Sequence, residues 1–219
     1  GSVLSNKNLF DNLIQDIVIL KKLGLSIFLI HGGGSKISKK LDDLNIKSDF
    51  INGLRVTDDK IIDIVEDVLV QFNKEIVNAL KNKSCAAKEI TSKENNVIFV
   101  KPENKSLGFV GKPTKINTDI LTKIVKGNEV PIIASLGLDQ NNQTFNINAD
   151  SVAGAIAKEL KARRLLILSD VEGVLSKDKK LISEINSDQT TKMITDGAIS
   201  GGMIPKINNC LDVAKNGVK

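Results

Sequence analysis

Four residues, His31-Gly32-Gly33-Gly34, follow the apolar run Ile27-Phe28-Leu29-Ile30 and precede a segment of helical periodicity. Three successive peptide units without Cβ let backbone N–H groups approach an anion closely. The start of the following helix adds unpaired donors and the positive end of its dipole. This spacing predicts a cradle for phosphate or another oxyanion; the plainer alternative is a tight strand-to-helix turn in which glycine only relieves crowding. A second glycine-rich loop, Gly201-Gly202-Met203-Ile204-Pro205-Lys206, opens another helix and brings a lysine to it. The P-loop spacing G-x-x-x-x-G-K-[ST] is absent, which disfavours a Walker-type nucleotidase, and so is the G-x-G-x-x-G spacing of a dinucleotide-binding dehydrogenase.

Two further groups could do chemistry. Asn146, Asn148 and Asp150 alternate with Ile147 and Ala149, so in extended chain two amides and a carboxylate face one way. Helix capping would account for one of the three. Asn52-Gly53-Leu54-Arg55 places a guanidinium fork just past a turn, where it could grip a carboxylate in two parallel hydrogen bonds, with a surface ion pair as the alternative. His31 is the only histidine, so any scheme that needs a histidine pair or a Ser-His-Asp relay has this one candidate.

Composition narrows the partners. A chain of 219 residues that is 41% apolar can bury a substantial core in one large α/β domain or two small lobes. No apolar stretch approaches the roughly 20 residues needed to span a bilayer, and the start lacks a secretory pattern. The expected location is therefore the cytoplasm or an organelle stroma, with no membrane partner. Cys85 and Cys210 lie far apart with no ligand at metal spacing, so two reduced thiols are expected and no metal-binding residues are assigned. The 31 Lys and Arg against 26 Asp and Glu give a net charge of +5, but the lysines are scattered. With no Trp or Tyr there is no aromatic platform beside them, which argues against nucleic acid and for small anionic ligands.

The elements that must carry these groups follow from periodicity. Helices are predicted over 9–23, 35–44, 58–81, 119–125, 148–161, 187–194 and 204–215, and buried or half-buried strands over 26–30, 47–51, 131–135 and 165–168. The segment 84–116 alternates short β-prone runs with Asn, Lys, Gly and Pro and reads as a small antiparallel sheet or hairpins. Strands alternating with helices predict an α/β fold, a mostly parallel central sheet with helices on both faces and a small β-hairpin excursion. In such sheets ligands collect beyond the carboxyl ends of the strands, where His31 to Gly34, Asn146 to Asp150 and Asp170 to Gly173 fall.

Seven stretches, in order, carry a resemblance: His31 to Gly34, Asn52-Gly53-Leu54-Arg55-Val56-Thr57-Asp58, Asn73 to Val77, Gly108-Phe109-Val110-Gly111, Asn146 to Gly154, Asp170-Val171-Glu172-Gly173-Val174-Leu175, and Gly201 to Lys206. On them the whole chain resembles the amino-acid kinase family, and the Asn-Gly-Leu-Arg-Val-Thr-Asp stretch favours its members that phosphorylate N-acetyl-L-glutamate. The resemblance implies a three-layer sandwich over 1–219, with an acceptor-substrate lobe over 1–145 and an incomplete nucleotide lobe over 146–219. It implies transfer of the ATP γ-phosphoryl group to the side-chain carboxylate of N-acetyl-L-glutamate, with Mg²⁺, in arginine biosynthesis. It also implies a homo-oligomer, a dimer or a hexamer built from dimers, with the region around 58–81 as the dimer surface. The alternatives are a related kinase with another acceptor and a noncatalytic homologue that binds nucleotide or amino acid.

Carried over by position, the resemblance makes Gly1, Gly32, Gly33 and Gly34 the phosphate loop, with Gly33 and Gly34 touching substrate and the transferring group. Arg55 would bind the substrate α-carboxylate and Asn146 its acetamido end. Lys206 would stabilise transition-state charge, Asp150 would orient catalytic lysines, and Asn148 would support them. Asp170, Val171, Glu172, Gly173, Val174, Leu175, Ala198, Ile199 and Ser200 would border the nucleotide. Three departures bear on this. Gly1-Ser2 matches the end of a Lys-x-Gly-Gly-Ser motif whose strand and lysine lie outside the chain, and the family continues past Lys219; the chain alone is therefore expected to show little kinase activity. At Lys88 to Asn96 the family has a glycine-rich hairpin, where this sequence has Glu89, Ser92 and Asn96.

Overall fold

The computed structural model describes residues 6–169, 171–176, 178–201 and 203–218. They belong to two compact units, 1–152 and 153–219.

The first unit starts with α1 (Lys7–Lys22), whose N-cap Asn6 accepts from the Asn8 and Leu9 backbone N–H groups. Its Ile14, Ile17 and Val18 are buried on one stripe at i, i+3, i+4 spacing, whereas Leu9, Leu20 and Leu23 are exposed. β1 (Leu29–His31) follows, then α2 (Gly34–Asp43). β2 (Phe50–Ile51) and β3 (Leu54–Arg55) form a two-stranded hairpin. Asn52 and Gly53 both have positive φ there, 51° and 80°, as a two-residue turn matching strand twist requires. α3 (Asp59–Asn82), capped by the Asp58 side chain, buries ten residues from Ile61 to Leu80.

β4 (Ala87–Ile90), β5 (Ile98–Pro102), β6 (Gly111–Ile116), α4 (Thr118–Lys126), β7 (Val130–Ala134), β8 (Leu136–Leu138) and β9 (Thr144–Asn146) come next, and α5 (Ala149–Glu159) begins in this unit. One sheet is parallel throughout in the order β1-β7-β4, with Leu29 opposite Ile132 and Glu89 opposite Ile132. All five residues of the central β7 are buried, which is why it reads as an unbroken apolar run. The second sheet has the order β6-β5-β8-β9. Two apolar clusters flank these elements. Ile14, Ile17, Phe72, Ile76, Leu80 and Ile132 belong to one, and Ile37, Leu41, Val65, Leu69 and Leu136 to the other. No helix of the described residues is long and apolar enough to cross a membrane.

In the second unit, α6 (Ser187–Thr195) opens on a capping box between Asn186 and Gln189, and α7 (Met203–Lys215) follows. Ala157, Val213 and Val218 form a small core with Ala162 and Leu165. α7 approaches α5 at Gly154, where a Cβ would meet Asn209 Oδ1 at 2.3 Å, and Lys158 pairs with Asp212. Leu175 bridges to Leu181 in a short hairpin.

Three expectations need correction. β4 lies in the stretch read as antiparallel, yet it pairs in parallel with β7. Its Ala-Lys-Glu-Ile alternation is that of an edge strand with one buried face, which looks the same in either sheet type. The strand predicted over 165–168 forms no ladder among the described residues, and Leu166 and Leu168 are 75% and 56% exposed. Apolar β-propensity there finds no neighbour to bond to, and a strand exists only through its partner. The third concerns Asn146, Asn148 and Asp150. Only Asn146 is in a strand, and the chain turns helical at Ala149, so the strand alternation does not run through all three.

Candidate active site

β1 delivers His31 to the carboxyl end of the parallel sheet, opposite Ala134 of β7. The glycines then turn the chain into α2. Gly33 is the N-cap, at φ −155°, and its carbonyl accepts from Ile37 N–H at 2.8 Å. Having no side chain, it offers the first-turn N–H groups of α2 no capping acceptor of its own. The three glycines meet different surroundings. A Cβ on Gly33 would strike Leu69 Cδ2 at 2.7 Å, and one on Gly32 would press the Ala149 Cβ at 3.3 Å. A Cβ on Gly34 would meet nothing within 4 Å among the described residues, whose packing does not require glycine there.

Arg55 is 7% exposed, which excludes the surface ion pair. It donates to Ser38 Oγ at 2.8 Å, to the Gly34 carbonyl at 3.3 Å and to Ser48 Oγ, and its guanidinium lies 4.6 Å from the centre of the Phe50 ring. No carboxylate of the described residues comes within 4.0 Å of it. Burial pushes its pKa down, against the opposing pull of the Asp42 charge. A buried cation held only by neutral acceptors is incompletely compensated, and an incoming anion relieves that cost.

Asn146 is tied to the same hairpin. Its Nδ2 donates to Thr57 Oγ1 at 3.2 Å, and Thr57 Oγ1 donates to the Arg55 carbonyl at 2.9 Å. Gly108-Phe109-Val110 threads between them. Phe109 N–H donates to the Thr57 carbonyl at 2.7 Å, and Asn146 N–H donates to the Phe109 carbonyl at 2.9 Å. Gly108 has φ +66°, and a Cβ there would meet the Thr57 carbonyl oxygen at 2.3 Å, so only glycine allows the approach. Asp150 stands in the first turn of α5, and Asn148 caps that helix by accepting from Ser151 N–H at 3.0 Å.

Gly32, Gly33, Gly34, Arg55 and Asn146 are thus linked within the first unit. In the second, Val171 and Leu175 are exposed and Gly173 has φ +149°. Ile199, between Ala198 and Ser200 ahead of α7, is buried, and its N–H donates to the Met193 carbonyl at 3.0 Å. Lys206 is the fourth residue of α7, directly after Pro205. Gly1, Asp170 and Gly202 lie outside the described residues.

His31 is 2% exposed. Its Nδ1–H donates to the Gly32 carbonyl at 3.1 Å, and its Nε2 accepts from Asn73 Nδ2 at 3.0 Å. Burial lowers its pKa to about 4, which makes it a neutral group of the loop's support rather than a general base.

Sequence reasoning missed Ser38, Ser48 and Thr57. Ser38 sits one helical turn beyond Gly34 on α2, a spacing that could have flagged it. Ser48 and Thr57 become visible only once the hairpin is folded.

The family model for the amino acid kinase family matches residues 1–219. The chain is 65% identical over 219 residues to the acetylglutamate kinase of Pelagibacter ubique, covering all of this chain and 76% of that protein. It is 42% identical over 220 residues to the acetylglutamate kinase of Campylobacter fetus, covering all of this chain and 79% of that one. Among solved structures it is similar to smu.665 from Streptococcus mutans, with a TM-score of 0.88 at 30% identity over 94% of this chain and 84% of the other. A glycine N-cap after a parallel strand and a buried β3 arginine bonded to the first turn of that helix accompany a family match that spans residues 1–219, and the chain belongs to the amino acid kinase family.

Proposed function

We propose that this chain transfers the γ-phosphoryl group of ATP to the side-chain carboxylate of N-acetyl-L-glutamate, the acyl-phosphate-forming step of arginine biosynthesis. The observation that carries this reading is the buried Arg55, bonded to the Gly34 carbonyl at the glycine-capped start of α2 and lacking a carboxylate partner among the described residues. The high identity to the Pelagibacter ubique acetylglutamate kinase supports the acceptor.

The chemistry follows from charge. An acceptor carboxylate with an ordinary pKa near 4 is already an ionised nucleophile at neutral pH, so no base is required. The protein's task is to bring two anionic reactants into line and to spread charge on the transferring group. In this reading Arg55 holds the α-carboxylate, Asn146 the acetamido end, and the N–H groups of Gly33 and Gly34 the transferring oxygens. One well-aimed donor in such a site is worth on the order of 3 kcal/mol. Lys206 neutralises charge from the nucleotide side and Asp150 orients the lysines. Residues 171–175 and 198–200 border the nucleotide, with Asp170 and Gly1 assigned by resemblance. Mg²⁺, when bound with ATP, neutralises phosphate charge. The two lobes, the homo-oligomer and a cytoplasmic location belong to the same proposal.

The test is ADP release with hydroxylamine trapping of acyl phosphate, using N-acetyl-L-glutamate, L-glutamate, L-aspartate and α-aminoadipate as acceptors. It is run on this chain and on a form extended at both ends with the flanking sequence of the Pelagibacter relative. Hydroxamate formation only with N-acetyl-L-glutamate is the expected result. Preference for another acceptor, or calorimetric nucleotide binding without turnover in the extended form, overturns the proposal.

A further inference from the structure

Asn73 lies in the middle of α3, is fully buried, and reaches all three strands of the parallel sheet, at the carboxyl ends of β1 and β4 and the middle of β7. Its Nδ2 donates to the Ile132 carbonyl of β7 at 2.8 Å, to His31 Nε2 at the end of β1 at 3.0 Å, and more weakly to the Ile90 carbonyl of β4 at 3.4 Å. Its Oδ1 is buried and has no partner among the described residues. A buried amide left half-satisfied costs about 1–3 kcal/mol, so its presence is explained by what the donor side does.

That side fixes a tautomer. Nε2 receives a hydrogen from Asn73 and must be the unprotonated nitrogen, which leaves the proton on Nδ1, the atom facing the Gly32 carbonyl. The ring itself is braced edge-on by Phe72, at 5.2 Å between centroids, and Lys36 covers the Phe72 ring at 4.5 Å. Pinning the Gly32 carbonyl fixes the peptide plane that leads into Gly33, and with it the direction of the loop's N–H groups. A loop of three glycines has no side-chain means of doing this, and glycine is the residue with most freedom to turn its peptide units.

We propose that Asn73 is a positioning residue for phosphoryl transfer: it holds His31 as the neutral Nδ1–H tautomer so that His31 orients the Gly32-Gly33-Gly34 backbone. The proposal rests on the phosphoryl-transfer reading of that loop, and its first readout is independent of turnover.

His31 is the only histidine, so ¹⁵N-histidine NMR of this chain gives one ring with no assignment needed. At pH 7 the ring should be a single Nδ1–H tautomer. A ring protonated on Nε2 overturns the proposal without any variant. Asn73→Leu, and Asn73→Ala should the larger residue fail to fold, should release the ring into a mixture of tautomers. In the extended form they should lower kcat roughly 10- to 100-fold while KM for both substrates stays within about threefold. An unchanged tautomer in a folded variant, or kcat within about twofold of the parent, overturns it. A parent protein with the Nδ1–H tautomer and no turnover on any acceptor fails the functional reading instead, and leaves the tautomer result standing.

Discussion

Asn146 and Thr57, 89 residues apart in sequence, are joined by a hydrogen bond of 3.2 Å from the amide to the hydroxyl. Because the same hydroxyl donates to the Arg55 carbonyl, one buried oxygen sets the spacing between the two residues assigned to opposite ends of the acceptor. Thr57→Val keeps the shape and deletes both bonds. It should cost about 1–2 kcal/mol in urea unfolding. In the extended form it should raise KM for N-acetyl-L-glutamate and leave KM for ATP unchanged, which steady-state kinetics with each substrate varied in turn will check.

Arg55→Met removes a buried cation that has no carboxylate partner among the described residues, so thermal stability should hold or rise. Acceptor affinity should fall by about 2 kcal/mol, roughly thirtyfold, as calorimetry with N-acetyl-L-glutamate will show. Arg55→Lys should recover little of this, since an ammonium cannot reproduce the fork whose Nη1 reaches Ser48 while Nη2 reaches Ser38 and the Gly34 carbonyl.

The neighbouring glycines should separate folding from chemistry. Gly33→Ala drives a methyl into Leu69, which is fully buried, and should destabilise the protein by about 1–3 kcal/mol. Gly34→Ala meets none of the described residues and should melt like the parent. If the transferring oxygens approach there, its turnover should nevertheless fall by about tenfold or more. Parallel melting curves and ADP-release rates for the two variants decide this.

His31 gives the stability a defined acid limb. Its pKa falls from 6.5 to about 4 on folding, so between those values the unfolded chain binds the extra proton. The stabilisation is complete above pH 6.5 and is lost as the pH drops toward 4, up to about 3 kcal/mol in all. Urea midpoints at pH 7 and pH 4.5 should differ more for the parent than for His31→Gln. Equal slopes would contradict the burial argument.

What was legible beforehand was local. The period of α3, the Asn-Gly turn of the β2–β3 hairpin and the strand–glycine–helix transition at His31 are each set by neighbouring residues, and each folds as its neighbours dictate. What was not legible depends on distant partners. β4 gives no sign of which strand it will meet, and 165–168 carries strand propensity without a ladder. The neutral environment of Arg55 is assembled from Ser38 and Ser48, which look like any surface serines. The Asn146-to-Asp150 alternation misleads because a helix begins inside it, and Asn148, the best capping residue there, was the signal.

The loop that replaces the expected glycine-rich hairpin is held chiefly by Glu66, with Asp67 as a second partner of Lys93 at 3.4 Å. Glu66 accepts from Ser92 at 2.5 Å and from Thr144 at 2.8 Å, and pairs with Lys93 at 3.3 Å, while Thr91 closes the loop on itself through Glu94. Glu66 also accounts for most of the rise in the Lys93 pKa. Glycines would vary one at a time, but residues that share the Glu66 carboxylate do not. Through descent, positions 66, 92, 93 and 144 should therefore be exchanged as a set, and a relative that lost the acid should have redesigned the other three.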